Sequence, residues 1–126
     1  MIGRMNATET LVHRYIQSWN ETDPTRRRAL IEQVYTADAL FTDPLVSAEG
    51  WDAIDRAVAG AQQKLGGMAI TLAGPIDAHH DAARFTWHAG MPGLSEPVVV
   101  GFDVAVAENG RLRAVIGFFD KVPAGV

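Results

Sequence analysis

Residues 35–44 read Tyr-Thr-Ala-Asp-Ala-Leu-Phe-Thr-Asp-Pro, and the rest of the chain is best understood outward from them. The pattern predicts the last turn of a helix, a tight reversal, and a short strand over residues 39–42 that ends at Asp43. Pro44 favours extended backbone at Asp43 and prevents the strand from continuing as a helix. A carboxylate held among apolar neighbours is suited to act as a general base. Aspartate is also a common turn residue, so the local sequence leaves both roles open.

The composition indicates a globular protein. The chain has 126 residues, of which 48% are hydrophobic and 21% charged, with a net charge of −4. This length suits one domain, residues 1–126, with a substantial core. The acidic balance argues against nucleic acid as a partner, and we expect the run Arg26-Arg27-Arg28 on the solvated face of a helix. Cysteine is absent, which excludes disulfides and thiolate metal sites.

The sequence contains no recognisable signal for targeting or for cofactor binding. No apolar run approaches membrane-spanning length, and residues 1–5 read as a frayed leader without a signal-peptide core. We therefore expect a cytoplasmic protein with no membrane partner. Because adjacent residues of a strand point to opposite faces, His79 and His80 are expected in a turn and not at a metal ion. No phosphate-binding loop or nucleophile motif is present, and we expect no cofactor and no metal.

Hydrophobic periodicity predicts three helices and a sheet. Asn6 opens the first helix, whose inward face carries Tyr15 and Trp19 one turn apart. Asp23-Pro24 opens the second helix. Residues 47–50 are expected to connect the short strand to the third helix, which begins near Trp51 and ends at Gly66-Gly67. Four strands then follow the short one, at residues 68–76, 82–90, 97–107 and 111–119. This order predicts an α+β fold with three helices on one face of a bent, mostly antiparallel sheet.

Strand alternation predicts which side chains meet. In residues 97–107, Asp103 shares a face with small residues, while the other face carries valines and a phenylalanine. Two apolar faces imply that both are covered, so we expect the Asp103 face to line a cavity and the other to form a homodimer interface. On the neighbouring strand, Arg84 and His88 are expected on the cavity side. On the last strand, Val115 and Phe119 are expected there.

The predicted helices and strands, in their order along the chain, resemble those of the nuclear transport factor 2-like superfamily. The resemblance is to its ketosteroid isomerase and polyketide cyclase (SnoaL-like) branches in particular. The resemblance extends from about Thr10 to Phe119. The matching segments are Arg14-Tyr15-Ile16 with Trp19-Asn20 and Asp23, Val34-Tyr35 through Asp43-Pro44, Gly101-Phe102-Asp103-Val104, and Gly110-Arg111. It implies a cone-shaped fold in which a strongly curved sheet and three helices enclose an apolar cavity.

The resemblance also implies roles for particular residues. Ketosteroid isomerases remove a proton with an aspartate directly before a proline, which Asp43 matches. Their oxyanion hole is a tyrosine on the first helix and a protonated aspartic acid on the penultimate strand, which Tyr15 and Asp103 match. That neutral acid is an established example of a carboxyl group kept protonated in order to donate a hydrogen bond. The further ligand-binding positions are Trp19, Tyr35, Phe41, Val58, Arg84, His88, Val115 and Phe119; Val58 stands where some isomerases have another tyrosine.

Three functions remain open at this stage. The first is binding of a small apolar or carbonyl-bearing metabolite, with isomerisation or cyclisation by proton abstraction beside the carbonyl. The second is a non-catalytic ligand-binding or dimerisation module. The third is epoxide-hydrolase-like water activation by Arg84 with Asp43 and Asp103, although Gly101 occupies a position of that motif. A direct Arg84–Asp103 pair would argue against an oxyanion hole, because a nearby guanidinium keeps a carboxyl group ionised.

Overall fold

Three helices pack on one face of a seven-stranded sheet in the computed structural model, which describes residues 6–124. The leader predicted at residues 1–5 lies outside them. The elements in chain order are α1 (Ala7–Asn20), α2 (Pro24–Val34), β1 (Tyr35–Thr42), β2 (Ser47–Glu49), α3 (Gly50–Leu65), β3 (Ala69–Leu72), β4 (Asp77–His79), β5 (Ala82–Gly90), β6 (Val99–Glu108) and β7 (Arg111–Lys121). The strand order is β2-β1-β7-β6-β5-β3, with β4 also paired to β5. Strands β1 and β7 are parallel and the other pairs antiparallel, so the predicted fold class is confirmed.

The helix ends follow from the local sequence. The side chain of Asn6 accepts a hydrogen bond from the backbone N–H two residues on, at 2.6 Å, and Asp23 accepts one from the N–H three residues on, at 2.9 Å. Gly66 ends α3 in the left-handed conformation, with φ of 58°, which glycine adopts without strain. Within residues 6–124, none of the helices combines the length and hydropathy needed to cross a bilayer.

The region from residue 35 to residue 49 differs from its prediction at both ends. Helix α2 passes directly into β1 at Tyr35, without the expected reversal. Tyr35 already pairs with β7, and the register then shifts before Leu40 pairs again. The irregularity interrupts the strand pattern, which explains why only residues 39–42 read as a strand. Residues 47–49, expected to be a connection, pair back on β1 as β2.

Alternation along β6 turns Asp103 towards the helices, as predicted. The buried side of β6 is formed by Gly101, Asp103, Ala105 and Ala107. Asp103 lies opposite Phe85 of β5 and Gly117 of β7, and paired residues project to the same face of a sheet. The helix-facing side of the sheet therefore carries a carboxyl group surrounded by glycine, alanine and aromatic residues.

Arg84 and His88 lie on the outer face of the sheet, contrary to the prediction. Arg84 alternates with Phe85, and Phe85 is the residue paired with Asp103. The Arg84 Nε donates to Asp77 Oδ2 of β4 at 2.8 Å, and both side chains are exposed. The physical reason is that β5 is amphipathic: its apolar side chains pack against the helices, so its polar set faces out.

Arg27 is buried, although the arginine run was expected on a solvated face. Its Nε donates to Asp55 Oδ1 at 2.8 Å and its Nη1 to Gln62 Oε1 at 3.1 Å. These bonds tie α2 to α3. The neighbouring Arg28 pairs with Glu32 and Asp52 where its side chain is more exposed. The salt bridge between Arg27 and Asp55 is therefore the better shielded of the two connections.

Removing the carboxylate of Asp55 is expected to destabilise the fold, because the Arg27 charge would stay buried without its partner. We expect Asp55→Ala to lower the free energy of unfolding by about 2–3 kcal/mol, measured by urea denaturation. Asp52→Ala is the matched control one turn away on α3, where water screens the pair with Arg28, and it should change the stability little. Equal losses in both variants would contradict the assignment.

Candidate functional site

A cavity of about 400 Å³ lies between the helices and the sheet. Its wall comes from α1, α3, the segment after β1, and strands β1, β3, β5, β6 and β7. Most of the lining side chains are apolar, and the charged ones are Asp43, Arg56, Lys64 and Asp103. Both the volume and this composition, apolar with a few polar groups, are typical of small-molecule pockets.

The central polar contact joins α1 to β6. The Tyr15 hydroxyl donates to Asp103 Oδ2 at 2.7 Å, and the two residues are only 2% and 3% exposed. Burial raises the pKa of Asp103 to about 6; the Tyr15 hydrogen bond and the nearby Trp87 indole oppose the rise, and Asp43 adds to it. Burial, with Asp103 close by, also raises the pKa of Tyr15 well above its ordinary value. The pair therefore combines a permanent donor with an acid that can be protonated near neutral pH.

Two glycines make room for this arrangement. A Cβ at Gly117 would lie 2.7 Å from Asp103 Oδ1 and 3.4 Å from the Cβ of Asp43, so both acids lie against the same glycine. A Cβ at Gly101 would lie 2.1 Å from ring carbons of Trp87, closer than atoms can approach. The carboxyl groups and the Trp87 indole thus occupy space that any other residue at these positions would fill.

Asp43 serves both as a turn residue and as a cavity acid. Its Oδ1 accepts from the backbone N–H groups of Leu45 and Val46 at 2.8 and 3.0 Å. These bonds fix the side chain after the end of β1, where it lines the cavity. Among residues 6–124, its Oδ2 accepts no hydrogen bond, so one oxygen of the oriented carboxylate is available to a ligand.

Aromatic rings surround the Tyr15 side chain. Its ring meets those of Trp19, Tyr35 and Phe85 edge to face, with centroids 6.3, 6.3 and 5.8 Å apart. In the described part of the chain, the indole Nε1 of Trp19 and the hydroxyl of Tyr35 are buried without a hydrogen-bond partner. Trp19 lines the cavity, but its N–H is itself buried and not exposed to the cavity.

Comparison with known proteins adds a family to this geometry. The sequence matches no protein-family model and no curated protein. Among solved structures, the chain is similar to a proposed isomerase of the SnoaL-like family from Agrobacterium tumefaciens strain C58, with a TM-score of 0.85 and 35% identity over 92% of this chain and 99% of that one. The chain belongs to the SnoaL-like family.

Two more distant structures share the fold alone. A proposed ketosteroid isomerase from Kribbella flavida has a TM-score of 0.70 and 16% identity, covering 95% of this chain and 82% of that one. A proposed SnoaL-like polyketide cyclase from Jannaschia sp. CCS1 has a TM-score of 0.73 and 12% identity, covering 94% and 92%. These identities are too low to transfer site residues to this SnoaL-like protein.

The structure brings together part of the set of site residues expected from the sequence. The expected residues that do line the cavity are Tyr15, Trp19, Phe41, Asp43, Asp103 and Phe119. Tyr35, Val58 and Val115 are fully buried behind the cavity wall and contribute to the core. Arg84 and His88 are on the opposite face of the sheet, so no Arg84–Asp103 pair forms and the epoxide-hydrolase-like arrangement is wrong. Among residues 6–124, no group of three or more histidines, aspartates or glutamates is placed to hold a metal ion.

Several cavity residues of this SnoaL-like protein were not anticipated from its sequence. With Arg84 and His88 expected on the cavity side, alternation along β5 placed Trp87 on the other side. Trp87 lines the cavity instead and pairs with Gly101, and a glycine across from a large side chain is a signal that could have located it. On α3, Arg56, Gly60 and Lys64 recur every four residues, a spacing that places them on one helix face. That face lines the cavity.

Asp103 makes the stability of the folded protein depend on pH. Its folded-state pKa of about 6 exceeds the ordinary 3.8, so stability contributed by the neutral acid is present below about pH 4 and is lost as the pH rises through about 6. Asp103→Asn removes this titration. We expect the variant to be more stable than wild type near pH 8, by up to about 3 kcal/mol, and the difference to vanish towards pH 4.

Urea unfolding at several pH values between these limits measures the effect. Asp120→Asn, at an exposed position of β7, is the matched control and should leave the pH dependence unchanged. A difference between Asp103→Asn and wild type that stays constant with pH would be incompatible with a raised pKa.

Proposed function

We propose that the cavity binds a small, largely apolar metabolite with a carbonyl group and isomerises or cyclises it by removing a proton beside that carbonyl. The observation that carries the proposal is that Asp43 and the Tyr15–Asp103 pair border the same mostly apolar cavity. One group can accept a proton, and the other two can donate hydrogen bonds to an oxygen. The description of the Agrobacterium tumefaciens relative as a proposed isomerase agrees with this chemistry.

The reaction would proceed by two proton transfers. The Asp43 carboxylate takes a proton from the carbon next to the carbonyl, and the electrons of that C–H bond form the C=C bond of an enolate. The carbonyl oxygen gains the negative charge and accepts a hydrogen bond from neutral Asp103. It also accepts one from Tyr15, whose hydroxyl would turn from Asp103 Oδ2 to the ligand oxygen. Protonated Asp43 then returns the proton to another carbon of the conjugated system, which completes an isomerisation and restores the carboxylate.

The position of Arg84 supports the oxyanion role of Asp103. Its guanidinium pairs with Asp77 on the outer face, so it does not hold Asp103 in the ionised form. With a pKa of about 6, about a tenth of the Asp103 carboxyl groups carry a proton at pH 7. A ligand oxygen that accepts this proton would shift the balance towards the neutral acid, and binding would be strongest in mildly acidic solution.

Asp43→Asn tests the base, because the amide keeps the size of the side chain but cannot take up the proton. With a β,γ-unsaturated ketosteroid as probe, followed by the absorbance of the conjugated product, we expect turnover to fall about 10²- to 10⁴-fold. Binding of the product, measured by calorimetry, should change little. Asp38→Asn, at an exposed position of β1, is the control.

Unchanged turnover in Asp43→Asn would exclude this residue as the base. A wild-type protein that binds the ketosteroid without converting it would instead favour a non-catalytic ligand-binding module. The specific observation behind that second candidate is the double hydrogen bond to Asp43 Oδ1, which gives the residue a structural role even without chemistry.

The outer face of the sheet supports a second proposal, a homodimer. Phe118 and Ile116 of β7 are 55% and 39% exposed, and they pair with Phe102 and Val104 of β6. These four side chains form a contiguous apolar patch, defined here as the outer patch. Such a patch on a sheet face is typical of an interface between subunits.

Phe118→Lys should disrupt this dimer, because it would place a charge in the centre of the buried patch on both subunits. We expect light scattering after gel filtration to show twice the 13.6 kDa chain mass for wild type and the single mass for the variant. Leu94→Lys, which changes an even more exposed apolar residue in a loop, should remain dimeric. A monomeric wild type would refute the proposal.

A further inference from the structure

The charged side chains that line the cavity differ in exposure, with acids at its buried end and cations at its exposed end. Tyr15 and Asp103 form its closed end, as their near-complete burial shows, whereas the side chains of Arg56 and Lys64 are exposed. Leu45, another lining residue, is 60% exposed. The opening of the cavity is therefore on the side of α3 and Leu45, and the exposed charged side chains that line it there, Arg56 and Lys64, are positive.

The acids and the cations of α3 have different surroundings. The acids Asp52 and Asp55 bond to arginines of α2. Arg56 and Lys64 line the cavity instead, and neither forms an ion pair with any residue in the range 6–124. Asp52 lies one turn before Arg56 and feels its charge, but its carboxylate bonds to Arg28. Both cations at the opening are therefore left without a direct carboxylate partner among the described residues.

The space between these two cations is open. Gly60 lies one turn from each of them, and a Cβ there would meet no atom within 4 Å. Arg56 and Lys64 are about 12 Å apart along the helix axis, and their long side chains can swing towards a common ligand. The opening thus offers room for a ligand end between two mobile positive groups.

We propose that Arg56 and Lys64 form an anion-binding subsite, and that the ligand of the cavity carries an acidic group, such as a carboxylate or sulfonate, at its outer end. This rests on the proposed function only in placing a small apolar ligand in the same cavity. The opposite orientation is unfavourable because an acidic group at the closed end would meet Asp43 and Asp103. The protein as a whole has a net charge of −4, so attraction of an anion must come from these local cations.

A matched pair of fluorescent probes tests the subsite. 8-Anilinonaphthalene-1-sulfonate and N-phenyl-1-naphthylamine share one aromatic body, and only the first is an anion. We expect Arg56→Gln and Lys64→Gln each to weaken binding of the sulfonate about two- to fivefold, and the double variant about tenfold. Binding of the neutral probe should not change. Arg26→Gln removes the same charge from an exposed position on α2 and should affect neither probe.

A cavity-filling variant locates the probes. Gly60→Phe places a ring in the open space, so it should abolish binding of both. Sulfonate binding that survives Gly60→Phe, that does not weaken without the cations, or that weakens in parallel with the neutral probe would overturn the subsite.

The outcomes also separate this inference from the proposed reaction. If the neutral probe binds but the cations do not discriminate, only the subsite is refuted. If the sulfonate is discriminated while Asp43→Asn keeps full turnover, only the chemistry is refuted. If neither probe binds to the wild-type protein, the subsite is refuted, and the ketosteroid assay with Asp43→Asn decides the reaction on its own.

Discussion

A carboxyl group buried without an opposite charge is the constraint on which the rest of this structure depends. Asp103 has lost almost all contact with water, and its partner is a neutral phenol. Burying a charge in this way is unfavourable, and the raised pKa of Asp103 expresses that cost. Gly117 on β7 leaves the space that the carboxyl group occupies, and Gly101 on β6 leaves the space for the Trp87 indole beside it. An acid kept at such a cost inside a cavity is better explained by function than by stability.

Much of this arrangement could be predicted from local sequence. The alternation of small residues around Asp103 was sufficient to place it on the inner face, because the side-chain period of a strand is fixed at two. The proline after Asp43 was sufficient to locate the end of β1. Helix ends were equally accessible, since Asn6, Asp23 and Gly66 each act on their own backbone. Features that depend on a few consecutive residues were therefore predicted correctly.

The predictions that were wrong concern residues whose positions depend on contacts between segments distant in the sequence. Arg84 and His88 were expected to share the cavity side with Asp103, against the simpler rule that the apolar side of β5 faces the helices. The register between β5 and β6 shows that the simpler rule holds. Arg27 belongs to a run of three arginines, and only the packing of α2 on α3 shows that it reaches Asp55. Val58 and Val115 lie on the predicted inner faces of their helix and strand, but behind the cavity wall. Sequence periodicity predicts the face on which a side chain lies and not how far it is from the cavity.

The contact between Tyr15 and Asp103 spans 88 positions of the chain, so its geometry depends on how α1 is held. The side chain of Asn20, the last residue of α1, donates to the backbone oxygen of Ile70 and accepts from its N–H, both at 2.8 Å. It thus extends β3 as a strand residue would. Gln62 of α3 donates to backbone oxygens at the same end of α1. A movement of α1 large enough to open the cavity would break these bonds together with the Tyr15 contact, whereas the small residues around Gly60 leave the α3 side open. A ligand can therefore reach the acids past α3 without disturbing the side chains that would act on it.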